Sequence, residues 1–154
     1  MDDVQLANYV AGIDPGPVEA GRVDQDIATI LGVKAGTVVW LSDYTLTKTG
    51  FRHPEIDFSD YQKMPEILAS GFAAPGNKRR TVDMCHIDTA SGDFKLWRVC
   101  LKATRQDEVF VTLFHRVNMK EARRLYRRAR KKGRLLRDHK TALARRILRH
   151  ASRA

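Results

Sequence analysis

Arg98, Lys102, Thr104, Thr112, His115 and Arg116 all fall in one stretch, residues 78–117, and His53 stands upstream in Phe51-Arg52-His53-Pro54-Glu55. These side chains are suited to handling a phosphodiester. Histidine titrates near neutrality and can take or give a proton. Arginine and lysine stay charged, and arginine offers a planar fork to two phosphate oxygens. The chain has no Gly-rich phosphate loop, no G-x-S-x-G elbow, no Cys/His spacing for zinc and no clustered carboxylates of the two-metal kind. Phosphodiester chemistry is therefore expected without a metal or cofactor. The workable form is RNA self-cleavage, in which a base deprotonates the 2′-hydroxyl and cations stabilise the crowded phosphorane.

Within that set the residues differ in weight. His53 is the strongest candidate, because Arg52 beside it would stabilise phosphate and Pro54 restricts the backbone at that point. Taken alone, by type and position, it reads more readily as a surface histidine at a turn. Arg98 and Lys102 share one face of a strand, about 13 Å apart from the strand rise, which is enough to bracket a nucleotide backbone. Thr112 and Arg116 repeat that spacing on the next strand. An even-to-even register would bring all four to one surface, whereas a slip by one would send the second pair to the other. His115 and His86 alternate with apolar residues and read as core or rim. Phe114, Trp97 and Tyr44 have faces on which a base could stack, although strand aromatics, Trp97 above all, are usually core.

Three short runs, KRRTVDMCHID, FKLWRVCLKAT and EVFVTLFHRV, must position these groups. Their alternation predicts a β-meander with Trp97, Val99 and Leu101 on the core face. A hairpin turn near Ser91 would set Cys85 across from Trp97 and Cys100 across from Val82, so the two cysteines are expected to stay unpaired. Upstream, residues 4–10 read as a weak helix before the breaker Asp14-Pro15-Gly16-Pro17, a segment either mobile or draped over the core. A helix is expected over residues 23–31 with Gly32 as its stop, followed by a strand over residues 37–41. Ser42 should cap a helix that ends by Gly50, and Ser59 should cap another over residues 60–70, interrupted at Pro65. Residues 71–77 read as loop. From Asn118 the period becomes helical, with Asn118 and Glu121 at capping-box spacing, a break at Gly133 and a second stripe of Leu136, Leu143, Ile147 and Leu148.

The charge is more informative in its placement than in its total. The net charge is +10 over 154 residues. Residues 120–154 hold 15 Lys/Arg against Glu121 and Asp138, or +13; residues 1–119 hold 13 against 16 acidic groups, or −3. A nearly neutral domain with a cationic extension indicates an anionic partner, nucleic acid rather than membrane. No apolar run approaches the ~18 residues of a membrane helix, and no signal peptide is expected. Two cysteines used as small buried hydrophobes suit a reducing, cytoplasmic setting.

The ordered motifs Thr37-Val38-Val39-Trp40-Leu41-Ser42, then Leu46 and Lys48, then His53-Pro54-Glu55, then Asp60-Tyr61-x-x-Met64-Pro65-Glu66-Ile67-Leu68, resemble the phage-associated branch of the barnase/EndoU/colicin/RelE-like nucleases. Trp97-Arg98-Val99-Cys100-Leu101-Lys102-Ala103-Thr104 and Val111-Thr112-Leu113-Phe114-His115-Arg116 match its closing strands, so the likeness spans residues 35–117. The resemblance implies an α+β fold, with helices packed on an antiparallel sheet, and metal-independent cleavage of RNA in a phage or prophage setting. Carried onto these positions, His53 would be general acid or base, Arg98 and Lys102 would bind phosphate, and Thr112 and Arg116 would complete the pocket. Lys48, Arg52, Arg80, Thr104 and Phe114 are the expected substrate contacts. The organisation expected is an N-terminal segment (residues 1–22), a nuclease-like domain (23–118) and a basic helical extension (119–154). RNA, such as tRNA, would be the substrate, the extension would hold nucleic acid, and an immunity or phage head protein would be the protein partner, with virion association one outcome. The rival expectation is an accessory protein that binds nucleic acid and has no chemistry.

Overall fold

The computed structural model describes residues 3–14, 16–90 and 92–150. The predicted meander forms: β4 (Thr81–Ile87), β5 (Leu96–Ala103) and β6 (Val109–Arg116) pair antiparallel in that order. Trp97, Val99 and Leu101 are buried, as the alternation of β5 requires. The fold is α+β, but the sheet is larger than the meander. It has six strands in the order β1-β2-β6-β5-β4-β3, built out by β1 (Val18–Arg22), β2 (Val38–Leu41) and β3 (Phe72–Pro75). β2 runs parallel to β6 through only two residue pairs, so the sheet is mixed.

β1 and β3 correct the sequence reading, which had a mobile or draped segment and a loop there. β3 carries a Pro and is followed by Gly76 and Asn77, all turn signals, yet Phe72 and Ala73 are buried because β4 supplies their ladder. Tertiary pairing overrides weak local propensity here. The N-terminal residues drape: α1 (Asp3–Val10) buries Leu6 and Tyr9, whose hydroxyl donates to the Leu41 carbonyl at 3.1 Å. Ser91, the expected turn centre, lies outside the described residues. The ladder sets Cys85 opposite Arg98 and Cys100 opposite Asp83, one residue away from the expected register, and both cysteines remain free.

Most helix signals hold, with shifts in the helix capped by Ser42 and in the one after it; the second C-terminal stripe does not form as expected, since Leu136 lies outside any helix and Leu143 is exposed. α2 (Gln25–Leu31) starts at an Asp24 cap and stops at Gly32, which takes the left-handed φ of 71°. α3 (Asp43–Arg52) is capped by Ser42 as expected but continues past Gly50, because the backbone restriction before Pro54 falls on His53 alone. The next helix is two, α4 (Phe58–Gln62) and α5 (Met64–Ser70), with Pro65 in a first turn where a missing N–H costs nothing. The cap is Asp57 rather than Ser59; Asp57 and Asp60 form a reciprocal capping box, and the Ser59 hydroxyl donates to Asp57.

The two faces of the sheet carry separate cores. The N-terminal helices cover Val82, Met84, Trp97, Val99 and Leu101. α6 (Met119–Lys131) and α7 (Ala142–Arg149) cover Phe72, Cys85, Ile87 and Leu96 with Ala122, Tyr126, Ala144 and Leu148. The basic C-terminal segment is thus a layer of the fold. Arg137 fastens it: buried, it donates to the carbonyls of Gly71 at 2.9 Å and Leu68 at 2.8 Å and pairs with the Asp24 carboxylate. Among the described residues no helix is long and apolar enough to cross a membrane.

A buried histidine pair sits where this segment meets the sheet. His86 stacks on His139, ring centroids 4.9 Å apart, and neither His86 ring nitrogen has a hydrogen-bond partner. The amides of Ile87 and Thr141 point at the two ring nitrogens of His139, each at 3.2 Å, an arrangement hostile to a doubly protonated ring. Burial pushes both histidines down to about 4, with Arg137 also opposing the charged form; the nearest carboxylate to His86 is Glu66, at 3.9 Å. The unfolded chain takes up these protons near pH 6.5 and the folded chain only near 4. Stability is therefore fully present above pH 6.5 and is lost as pH falls through that window. Urea-denaturation midpoints should fall over this range, and His86→Phe should flatten the fall; an identical profile in the variant would exclude His86 as a contributor.

Candidate active site

The register of β5 against β6 decides which groups meet. Arg98 lies opposite His115, Cys100 opposite Leu113, and Lys102 opposite Phe110, all on the face away from the N-terminal helices. The pairing slips by one between Cys100 and Leu101, leaving Thr112 as the extra residue of a β-bulge. Neither register considered from sequence holds along the whole strand. Thr112 stays on the Arg98 side, donating to the Cys100 carbonyl at 3.3 Å, while Arg116 lies opposite Trp97 on the other face. The bulge lets Val111 and Phe114 both face the first core, which strict alternation would forbid.

α3 brings His53 to this face. β2 stops pairing with β6 at Phe110, and α3 lies along the edge thus left open. The Thr45 hydroxyl donates to the Val111 carbonyl at 2.8 Å, and Lys48 Nζ to that of Thr112 at 2.6 Å. At the end of the helix His53 stacks on His115, ring centroids 4.6 Å apart and planes 22° from parallel. His115 Nδ1 lies 2.9 Å from the Arg116 carbonyl, so that nitrogen carries the proton and Nε2 is the acceptor of the neutral ring. Glu55 lies 3.7 Å from His53 Nδ1. His115 therefore sits one rung across from Arg98, at the ~5 Å separating facing Cβ atoms of a ladder, with His53 stacked on its ring.

Arg98 is gripped by Asp83, Nε to Oδ1 at 3.0 Å and Nη2 to Oδ2 at 2.7 Å, with Glu121 at 4.0 Å from Nη1. This bidentate pair forms part of the floor of a cleft of about 260 Å³ between the sheet and α6. Cys100 and Thr112 continue the floor, Leu125 and Ala129 form the helical wall, and Lys78, Arg128, Lys132 and Arg134 stand around it. Burial pushes the Cys100 thiol up to about 12 and the Cys85 thiol higher still, and Asp83 adds to both shifts. Neither is a thiolate nucleophile at neutral pH.

The other expected residues divide. Lys102 and Arg52 are exposed. Lys48 reaches β6, with Nζ 5.5 Å from the ring centre of exposed Tyr44. Arg80 is committed to structure: it takes a φ of 57° and donates to the carbonyls of Leu31 and Thr104 and to Asp107. Thr104 belongs to that turn, its hydroxyl accepting from the Glu108 amide. Phe114 is a correction. It is 0% exposed in the first core, beside Tyr61, and no base can stack on it. Arg116 joins no phosphate-facing group; it forks onto Asp60 at 2.9 and 2.8 Å.

Sequence reasoning did not single out Asp83, Arg128, Lys132 or Arg134, and read Glu121 only as a helix-start residue. The signal for Arg128 and Lys132 was available, since helical spacing sets both beside the Leu125–Ala129 stripe. The place of Asp83 depends on the β4–β5 register and had no local signature. Among the described residues no group of three or more His, Cys, Asp or Glu is arranged to hold a metal ion. The class that the fold defines is an α+β domain with a six-stranded mixed sheet and helices on both faces. Compared with family models, curated proteins and solved structures, the chain matches none.

Asp60 supports the site from beneath. It is 0% exposed and accepts from Trp97 Nε1 at 2.9 Å, from both arms of the Arg116 fork and from the Asp57 amide. Removing one partner of a buried ion pair costs about 3–5 kcal/mol. Asp60→Ala should lower the urea midpoint by that equivalent with little change in slope. A midpoint shift worth under ~1 kcal/mol would show that the cluster is not structural.

Proposed function

We propose that this chain is a metal-independent endoribonuclease of the phage-associated barnase/EndoU/colicin/RelE-like kind. The observation that carries this reading is the His53–His115 stack, in which His115 lies one rung from Arg98, itself part of the floor of a cationic cleft. One imidazole takes the proton of the ribose 2′-hydroxyl, whose oxygen then attacks the adjacent phosphorus. The other, protonated, gives its proton to the departing 5′-oxygen, leaving a 2′,3′-cyclic phosphate and a 5′-hydroxyl. Arg98 offsets phosphorane charge, with Lys102 further along the strand and the Thr112 hydroxyl beside it. Arg116 acts through Asp60 as a positioning residue, and Lys48 seats α3 on β6. Structured RNA such as tRNA is the substrate class, and in a phage or prophage an immunity or head protein would be the protein partner.

A second reading, a nucleic-acid-binding module without chemistry, is favoured by the Asp83 fork that already occupies Arg98. Purified protein with total RNA in EDTA separates the two. The nuclease should release cyclic-phosphate ends, and His53→Ala, His115→Ala and Arg98→Ala should each slow cleavage about 10²-fold or more, the two histidine variants melting like the parent and Arg98→Ala melting lower because it leaves the Asp83 carboxylate without its fork. Cleavage unchanged by all three substitutions would end the catalytic assignment. Salt-dependent binding without cleavage would establish the module.

A further inference from the structure

We propose that the cleft between α6 and the sheet is a subsite for one nucleotide, with the phosphate at Arg128 and Lys132 and the nucleoside against Leu125, Ala129 and the β5 floor. The inference rests on the reading above for its ligand class, though not on cleavage.

Size is the first argument. At about 260 Å³ the cleft lies just under the roughly 300 Å³ at which sites for drug-sized molecules begin, so it fits one nucleotide and excludes a duplex. Chemistry is the second. Leu125 and Ala129 give the helical wall an apolar strip, while Asp83, Thr112 and Asn77 offer polar atoms to a sugar or a base edge. Charge is the third. In the C-terminal layer Arg137, Lys140 and Arg149 are paired with Asp24 or Asp138 and Arg124 with Glu121, whereas Arg127, Arg130, Lys131 and Arg146 have no carboxylate partner among the described residues but do not line the cleft. Lys78, Arg128 and Lys132 at the cleft have no carboxylate partner among the described residues. Arg128 and Lys132 stand one helical turn apart, about 6 Å along the axis, a spacing that lets both reach one phosphate group. An apolar strip beside unpaired cations suits a ligand with one apolar and one anionic end. That is a nucleoside monophosphate, free or within an RNA strand.

Titration calorimetry on the full chain tests this with three probes: nucleoside 3′-monophosphates, inorganic phosphate, and a short oligodeoxynucleotide that lacks the 2′-hydroxyl and cannot be cleaved. The nucleotide should bind at least ~10-fold more tightly than inorganic phosphate, because only the nucleotide uses the apolar strip. Arg128→Gln and Lys132→Gln should each weaken it about 3- to 10-fold, whereas Arg146→Gln, which removes the same charge from exposed α7, should not. If only the oligonucleotide binds, with the same pattern across the variants, the site serves a nucleotide carried in a strand and the inference stands. Equal affinity for phosphate and nucleotide, or equal losses in all three variants, would overturn it. Cleavage with an empty cleft would sink this inference alone, and binding without cleavage would sink only the enzyme reading.

Discussion

The buried Asp60 carboxylate is the interaction on which the placement of the candidate site depends. It closes the capping box of α4, receives the Trp97 indole from β5 and takes the Arg116 fork from β6. A carboxylate without solvent exposure is tolerable only when its lone pairs are filled, and here four donors fill them. Those bonds hold the end of β6 so that Trp97 and Arg116 face one side of the sheet and Arg98 and His115 face the other. The arginine that sequence spacing grouped with the phosphate-binding set thereby becomes its support.

The second constraint is the way the sheet is covered. An exposed face carrying Phe72, Cys85, Ile87 and Leu96 would be a large apolar patch, and α6 with α7 removes it from water. The same helices bring the basic residues that line the cleft. Their cationic character thus serves two ends: Arg137 ties the layers together through buried carbonyls, and Arg128 and Lys132 remain available at the rim. Composition alone does not separate a structural arginine from a binding one. Burial and partners do.

Much of the fold was legible locally. The meander, the Gly32 stop of α2, the Ser42 cap and the Asn118–Glu121 start of α6 all follow from side chains within a few residues of the feature they specify. β1 and β3 were not legible, because each is short, carries Gly or Pro within or beside it, and gains its ladder from another strand, β1 from β2 and β3 from β4 across the turn at residues 76–80. The candidate site was legible as residue types. The structure sets His53 on His115 opposite Arg98 and brings Arg98 and Thr112 into one cleft, while Phe114 had the right type for stacking and the wrong side of the strand.

What the sequence determined by itself was the period of each element, the caps, the uneven charge and the set of residues capable of phosphate chemistry, since these depend on neighbours a few positions away. What only the tertiary structure decided was which of those residues share a surface. One extra residue at Thr112 shifts the ladder, sending Arg116 to the core side and His115 to the Arg98 side. A one-residue slip inverts the facing of a strand, and nothing within β6 alone encodes where the slip falls. It is set by the need to bury Val111 and Phe114 on one side together, a demand made by the helices they pack against.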